Sequence, residues 1–291
     1  MRVFVTGGTG LIGTAVVREL TTHGHSVLTL ARSDASAAAA AATGAASLRG
    51  GLSDLDVLRE GVRSCDAVIH LAFDHSAITA DGFGRASEQE SVAVAAIGDE
   101  LRGTDRPFAV VSGTPAATGR PSTEDDPLPL DGPVAGRART VTAALALAEA
   151  GVRTSAIRLP RTVHADGQGG FAGILTEMAR SSGVSGIPGD GTQRWPAVHA
   201  ADAAALFRLA LENAPAGTVW HAVADEGDAV RDIAEVIGRR LGVPVEPVPD
   251  DTFGALGPVF ALDQPASSAR TREMLGWTPT HPGLLEDLEL I

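Results

Sequence analysis

Three glycines, Gly7, Gly10 and Gly13, stand in the stretch VFVTGGTGLIG, directly after a short β-branched run and at the head of an apolar run with helical spacing. That spacing suits the binding of paired phosphates. Gly7 allows a tight turn, Gly10 lets a phosphate reach the backbone, and Gly13 lets a helix lie close on a strand. The free amides and the dipole at the helix start then favour an anion. The pattern predicts a dinucleotide-binding turn, with a purely structural glycine turn as the alternative reading.

At the end of the second apolar run, where an acidic side chain would grip a ribose hydroxyl, the sequence has Ala31 followed by Arg32 and Ser33. A guanidinium pairs with a phosphate rather than a hydroxyl, so NADP(H) is favoured; Asp34 keeps NAD(H) as the alternative. Three further places carry groups able to move protons or orient an oxygen. Thr114 follows the run 108–112, and His164 follows RLPRTV, an imidazole being a side chain suited to general acid work. Asp74 and His75 follow the run 67–72. Each has a plainer reading: a turn hydroxyl for Thr114, a surface histidine for His164, a solvated loop for Asp74 and His75. His70 reads as a core histidine, and Trp195, Phe171 and Trp220 as core or pocket lining. Glu124, Asp125 and Asp126 read as solvated surface. No zinc spacing, HExxH, GxSxG or GxxxxGK[ST] motif is present.

The elements that must position these residues alternate. Strands are expected at 2–6, 26–31, 46–50, 67–72, 108–112, 154–159 and 219–223, and helices at 10–22, 54–62, 87–101 and 138–150. An alanine-rich surface helix is expected within 33–47. Strands and helices in alternation predict an α/β fold, a Rossmann-type doubly wound parallel sheet. After Pro160 glycine and proline become frequent, with helices at 200–212 and 228–241, so a smaller interleaved C-terminal substrate lobe is expected. The division is 1–162 for the nucleotide-binding domain with a return strand near 197–225, and 163–196 with 226–291 for the lobe. The chain has 291 residues, 44% hydrophobic, with a net charge of −13. That balance argues against nucleic acid or an anionic membrane as partner. The single cysteine, Cys65, reads as a buried residue before a strand, and no metal site is expected. With no signal peptide and no span long enough for a bilayer, the expected location is the cytoplasm.

These stretches together resemble the extended short-chain dehydrogenase/reductase superfamily of the NAD-dependent epimerase/dehydratase type. The likeness is carried by TGGTGLIG, CDAVIHLA (65–72), VVSGT (110–114), AIRLPRTVH (156–164), RWPAVH with Asp202 as a return to the main sheet, and SSARTREMLGWTP (267–279). In that superfamily a Ser/Thr, a Tyr and a Lys four residues later transfer the proton. The resemblance assigns the hydroxyl site to Thr114, the tyrosine site to Pro133 and the lysine site to Arg137; the chain has no tyrosine. It therefore looks like an atypical subgroup lacking the Tyr/Lys pair. The cofactor contacts it implies are Gly7, Thr9, Gly10, Leu11, Ile12 and Gly13 at the turn, and Arg32, Ser33 and Leu52 around the adenosine. Leu71, Ala72, Phe73, Ser112, Arg137, Pro160 and Val163 would lie toward the nicotinamide, with Thr114, Arg137, His164 and His75 as the catalytic candidates. The activity implied is an NADPH-dependent reductase of a small organic substrate. A non-catalytic NAD(P)-binding module and a non-redox lyase with retained cofactor are its rivals. A homodimer through the helix at 138–150 is implied, although its alanine stripe equally suits packing on its own sheet.

Overall fold

The computed structural model describes residues 1–74, 80–132 and 134–291. Its strands are β1 (Arg2–Thr6), β2 (Ser26–Ala31), β3 (Ala46–Arg49), β4 (Ala67–His70), β5 (Pro107–Gly113), β6 (Arg153–Leu159), β7 (Thr162–His164), β8 (Ser185–Ile187), β9 (Arg194–His199), β10 (Thr218–His221), β11 (Asp225–Ala229) and β12 (Val245–Pro247). The helices used below are α1 (Leu11–Thr22), α2 (Asp34–Ala42), α3 (Leu55–Arg63), α4 (Ala80–Leu101), α5 (Ala135–Ala146), α6 (Gly170–Ser182), α7 (Ala200–Asn213) and α8 (Val230–Leu241). The chain divides into two compact units, one of residues 1–112, 127–158 and 204–220, the other of 113–126, 159–203 and 221–291.

The first unit is built on a seven-stranded sheet of order β10-β6-β5-β4-β1-β2-β3. The pairings of β1 with β2 and β4, of β2 with β3, and of β4 with β5 are all parallel. The strand order turns back at β1 and β4, which puts the carboxyl ends of those strands at the switch point where ligands bind in such sheets. The strands read as near-continuous apolar runs because both faces are covered. Phe4, Leu58, Val62, Ile97, Leu101 and Phe108 form the centre of this core. The alanine run forms α2, capped by Ser33 and Ser36 in a reciprocal box. α5 ends in a 3-10 turn, Leu147–Ala150, and closes on Gly151 at φ 71°. Cys65 is buried immediately before β4.

The second unit holds a three-stranded sheet of order β11-β9-β7 and a two-stranded one of β12 and β8. This corrects the reading of RWPAVH as a return to the main sheet. β9 pairs with β7 and β11, and the return is made by β10 beside β6. Pro196 in β9 has no N–H for the ladder, and the register with β11 shifts at that place, between Asp225 and Asp228. A bulge is where a sheet tolerates proline. Trp195, Phe171 and Phe260 pack ring against ring at centroid distances of 5.1–5.7 Å. Trp195 and Trp220 are fully buried, so they are core rather than pocket lining.

Two polar groups read as surface are buried. Glu124 accepts hydrogen bonds from the backbone N–H of Thr271 at 3.1 Å and from its hydroxyl at 2.6 Å; Asp125 alone of its group is fully exposed. His164 is 1% exposed. Asp202 is a fold residue. Its carboxylate accepts from the backbone of Thr280 and His281, and its carbonyl from the Trp277 indole at 2.9 Å. Among the described residues, no helix is long and apolar enough to cross a membrane.

Asp228 carries a testable cost. Burial, with Asp225 and Asp232 nearby, pushes its carboxyl up to about 6. A folded pKa above the unfolded value means that the fold prefers the protonated form. Its contribution is therefore complete below pH 4 and is lost as pH rises through 6. Asp228→Asn should match the parent near pH 4 and exceed it by about 1–2 kcal/mol at pH 7.5, allowing for partial solvent screening. Urea unfolding at the two pH values measures this, and an advantage equal at both would contradict it.

Candidate nucleotide site and the groups around it

β1 runs into Gly7, whose φ is 76°; a Cβ there would lie 2.8 Å from the Ala72 backbone nitrogen. A Cβ on Gly13 would lie 2.0 Å from the Gly7 carbonyl oxygen. Neither position has room for a side chain. Gly10 differs: nothing comes within 3.7 Å of its missing Cβ, so the space above it is open. Gly10 is also the N-cap of α1 and supplies no capping side chain, so the first-turn amides face outward for an external acceptor. Thr9 and Ile12 are half-buried beside this opening, and Leu11 is 42% exposed. The cradle fits a diphosphate group: an open backbone surface, uncapped amides, and no acidic side chain in the first turn of α1.

At the end of β2, Ser33 is committed to capping α2, its hydroxyl accepting from the Ser36 amide at 3.1 Å. Arg32 is exposed beside Gly51 and has no ion-pair partner among the described residues. Asp34 faces Arg49 at 3.3 Å. Leu52 is half-buried and packs on the first unit's core.

Past β4, Leu71, Ala72 and Phe73 are all half-buried. His70 shares a 2.9 Å hydrogen bond between its Nδ1 and the Thr6 hydroxyl, and its Nε2 has no partner among the described residues. Burial, then the Arg137 charge, pushes its pKa down to about 3, so it stays neutral. Arg137 on α5 forms a two-pronged pair with Glu90 on α4, Nε to Oε2 at 3.0 Å and Nη2 to Oε1 at 2.8 Å. Its guanidinium carbon lies 4.2 Å from the Phe73 ring centroid. Glu90 is 4% exposed; burial raises its carboxyl and the Arg137 charge opposes the rise. Ser112, at the end of β5, is buried with no partner for its hydroxyl among the described residues.

In the second unit, Thr114 is 5% exposed and its hydroxyl likewise has no described partner. Its amide donates to the Leu159 carbonyl at 3.0 Å and its carbonyl accepts from the Gln264 side chain. Pro160 and Val163 are both buried. His164 Nδ1 lies 2.9 Å from Asp287, which also accepts the Gly167 amide at 3.0 Å. A carboxylate only accepts, so Nδ1 carries the proton and Nε2 is left without a described partner. His199 meets the His164 ring edge-on at 5.5 Å and stacks on His281 at 4.6 Å. Burial, then the two neighbouring imidazoles, lowers the His199 pKa. His75 and Pro133 lie outside the described residues. Among the described residues no cluster of three His, Cys, Asp or Glu side chains is placed to hold a metal.

Sequence reading missed both partners that define these groups. Glu90 had a signal: it lies on the stripe Ala86, Glu90, Ala93, Val94, Ile97, an acid in an apolar face. Asp287 had none, being 123 residues from His164. The composition adds a stronger fact. The chain contains no tyrosine and no lysine, and all 23 of its basic Lys/Arg residues are arginine. The given sequence therefore holds no tyrosine–lysine pair.

The glycines make a paired prediction. Gly13→Ala drives a Cβ into the Gly7 carbonyl and should lower stability by about 1–3 kcal/mol. Gly10→Ala enters open space and should cost within about 1 kcal/mol, the ordinary N-cap preference. Chemical denaturation of the two variants checks this, and equal losses would contradict it.

Comparison with known proteins places the chain. A protein of Schizosaccharomyces pombe described as uncharacterized is 43% identical, with 99% of this chain and 98% of that one covered. A 4-hydroxy-2-methyl-3-oxo-4-farnesyl-3,4-dihydroquinoline-1-oxide ketoreductase of Stigmatella aurantiaca is 29% identical, with 84% of this chain and 75% of that one covered. The crystal structure of UDP-glucose 4-epimerase from Thermotoga maritima, 22% identical, superposes with a TM-score of 0.80 over 100% of this chain and 97% of that one, a likeness of fold alone. Residues 3–222 match the model of the NAD dependent epimerase/dehydratase family. With its glycine turn, its doubly wound sheet and that match, the chain belongs to the NAD dependent epimerase/dehydratase family.

Proposed function

We propose that the chain is an NADP(H)-dependent oxidoreductase that reduces a small carbonyl-type substrate without a tyrosine acid. The observation that carries this reading is the open, uncapped start of α1 behind Gly10. It offers amides to a diphosphate where few other ligands would use them. Gly7 and Gly13 shape that turn, and Thr9, Leu11 and Ile12 border it. Arg32 is the residue for a 2′-phosphate, a cation with no ion-pair partner among the described residues, whereas the nearby carboxylate of Asp34 faces Arg49. The resemblance would give Leu52 to the adenine and Leu71, Ala72, Phe73 and Ser112 to the nicotinamide side; in the second unit it gives Pro160 and Val163 the same role.

The nicotinamide, when bound, supplies hydride chemistry; the chain supplies position and water exclusion. Thr114 orients the substrate oxygen with a hydroxyl that the described residues leave unengaged. Arg137, held by Glu90 over Phe73, is a fixed cation that would bond a ribose hydroxyl. His164, backed by Asp287, is the proton donor, directly or through water, and His75 is a second candidate. The ketoreductase relative supports a reductase over an epimerase. One observation favours a second reading, cofactor binding without turnover: the chain lacks both tyrosine and lysine.

Fluorescence titration with NADPH and NADH tests the core of the proposal. NADPH should bind the parent chain at least about tenfold tighter than NADH, and Arg32→Ala should remove that preference by weakening NADPH alone, since one charge-assisted pair contributes about 1.5–3 kcal/mol. Equal affinity for both coenzymes in the parent would remove NADP(H). NADPH that binds and is never oxidised across a carbonyl, imine and enone panel would favour the second reading.

A further inference from the structure

Arg161 lies between β6 and β7 in the second unit. Its Nη1 donates to the Val259 carbonyl at 2.8 Å. The guanidinium carbon is 5.3 Å from the Phe171 ring centroid and 6.0 Å from that of Trp195. These contacts fix the plane of the group and supply no negative charge. Its Nε is buried and has no hydrogen-bond partner among the described residues. Burial pushes its pKa down to about 10, and no ion-pair partner for it lies among the described residues. Arg137 and Arg194 show what this chain does elsewhere: each gives its Nε and Nη2 to one carboxylate, of Glu90 and Asp263.

A half-buried cation with no counter-ion among the described residues costs stability that an arriving anion restores. With Nη1 occupied, the Nε and Nη2 edge remains. That edge presents two parallel donors matched to the two oxygens of a carboxylate. We infer that Arg161 receives the carboxylate of the substrate through this edge, so that the substrate class is an oxo acid. The link from carboxylate to oxo acid rests on the reductase reading above. Arg161 stands in the chain between Pro160 and Val163, the residues that reading assigns to the nicotinamide side.

The experiment is calorimetric titration of the full chain, with and without NADPH, using benzoylformate, its methyl ester and inorganic phosphate as probes. Benzoylformate should bind saturably and the ester should not. Arg161→Gln should weaken benzoylformate at least tenfold, and Arg161→Lys, which keeps the charge and loses the fork, should fall between. If circular dichroism shows Arg161→Gln unfolded, Arg161→Lys and the acid–ester contrast on the parent chain decide the matter. Equal binding of acid and ester, no binding of either, or full affinity in Arg161→Lys would overturn the assignment. So would phosphate binding tighter than benzoylformate. NADPH oxidation separates the two proposals. Acid that binds without any oxidation leaves the carboxylate site standing and removes the reductase. Ester reduced as fast as acid leaves the reductase and removes the site.

Discussion

The carbonyl oxygen of Gly7 occupies the place where a side chain on Gly13 would begin, 2.0 Å from that missing Cβ. The close approach of helix to turn that this allows is the constraint on which the first unit depends. It brings α1 down onto β1 and leaves the first turn of the helix open above Gly10. Ala72 closes the other side, its backbone nitrogen 2.8 Å from where a Gly7 side chain would start. The turn therefore ties the first strand to the fourth, the two strands at the switch point of the sheet. Interiors are packed too tightly for such a contact to be traded for another.

Charge inside the same unit obeys a different constraint. A buried carboxylate and a guanidinium persist only as a pair with good geometry, and Glu90 with Arg137 meets that condition through two hydrogen bonds and the face of Phe73. Burial, and after it the Arg137 charge, keeps the neighbouring His70 neutral. The second unit solves the same problem with Asp287 under His164 and Asp202 under His281. Both units thus hold ionisable groups against one partner on a distant stretch of chain.

How much of this the sequence disclosed follows from where the forces act. β1 and β2 run as read, 2–6 and 26–31, because continuous apolar runs bounded by turns have few other outcomes. α4 begins at Ala80, earlier than the expected residue 87, since Gly82 and Gly84 disguise a helix that packing sustains. The short strands β7, β8, β11 and β12 left no periodic trace, at three to five residues each. β9 was recognised as a strand but given to the wrong sheet; strand pairing is a long-range choice that local pattern does not encode. The glycine turn was legible because its chemistry is backbone chemistry. The Arg137–Glu90 and His164–Asp287 pairs were not, because each joins residues that only tertiary folding brings together.

The Glu90–Arg137 pair has a consequence for the history of this site. Lysine placed at 137 would find the Glu90 carboxylate already waiting, and its ammonium would be held there as an ion pair. It would then have little charge to spare for acidifying a phenol at 133, the position the resemblance gives to the tyrosine. A tyrosine–lysine pair at 133 and 137 would thus require a change at Glu90 as well. The acid on α4 commits any cation at 137 to an ion pair before it can serve another group.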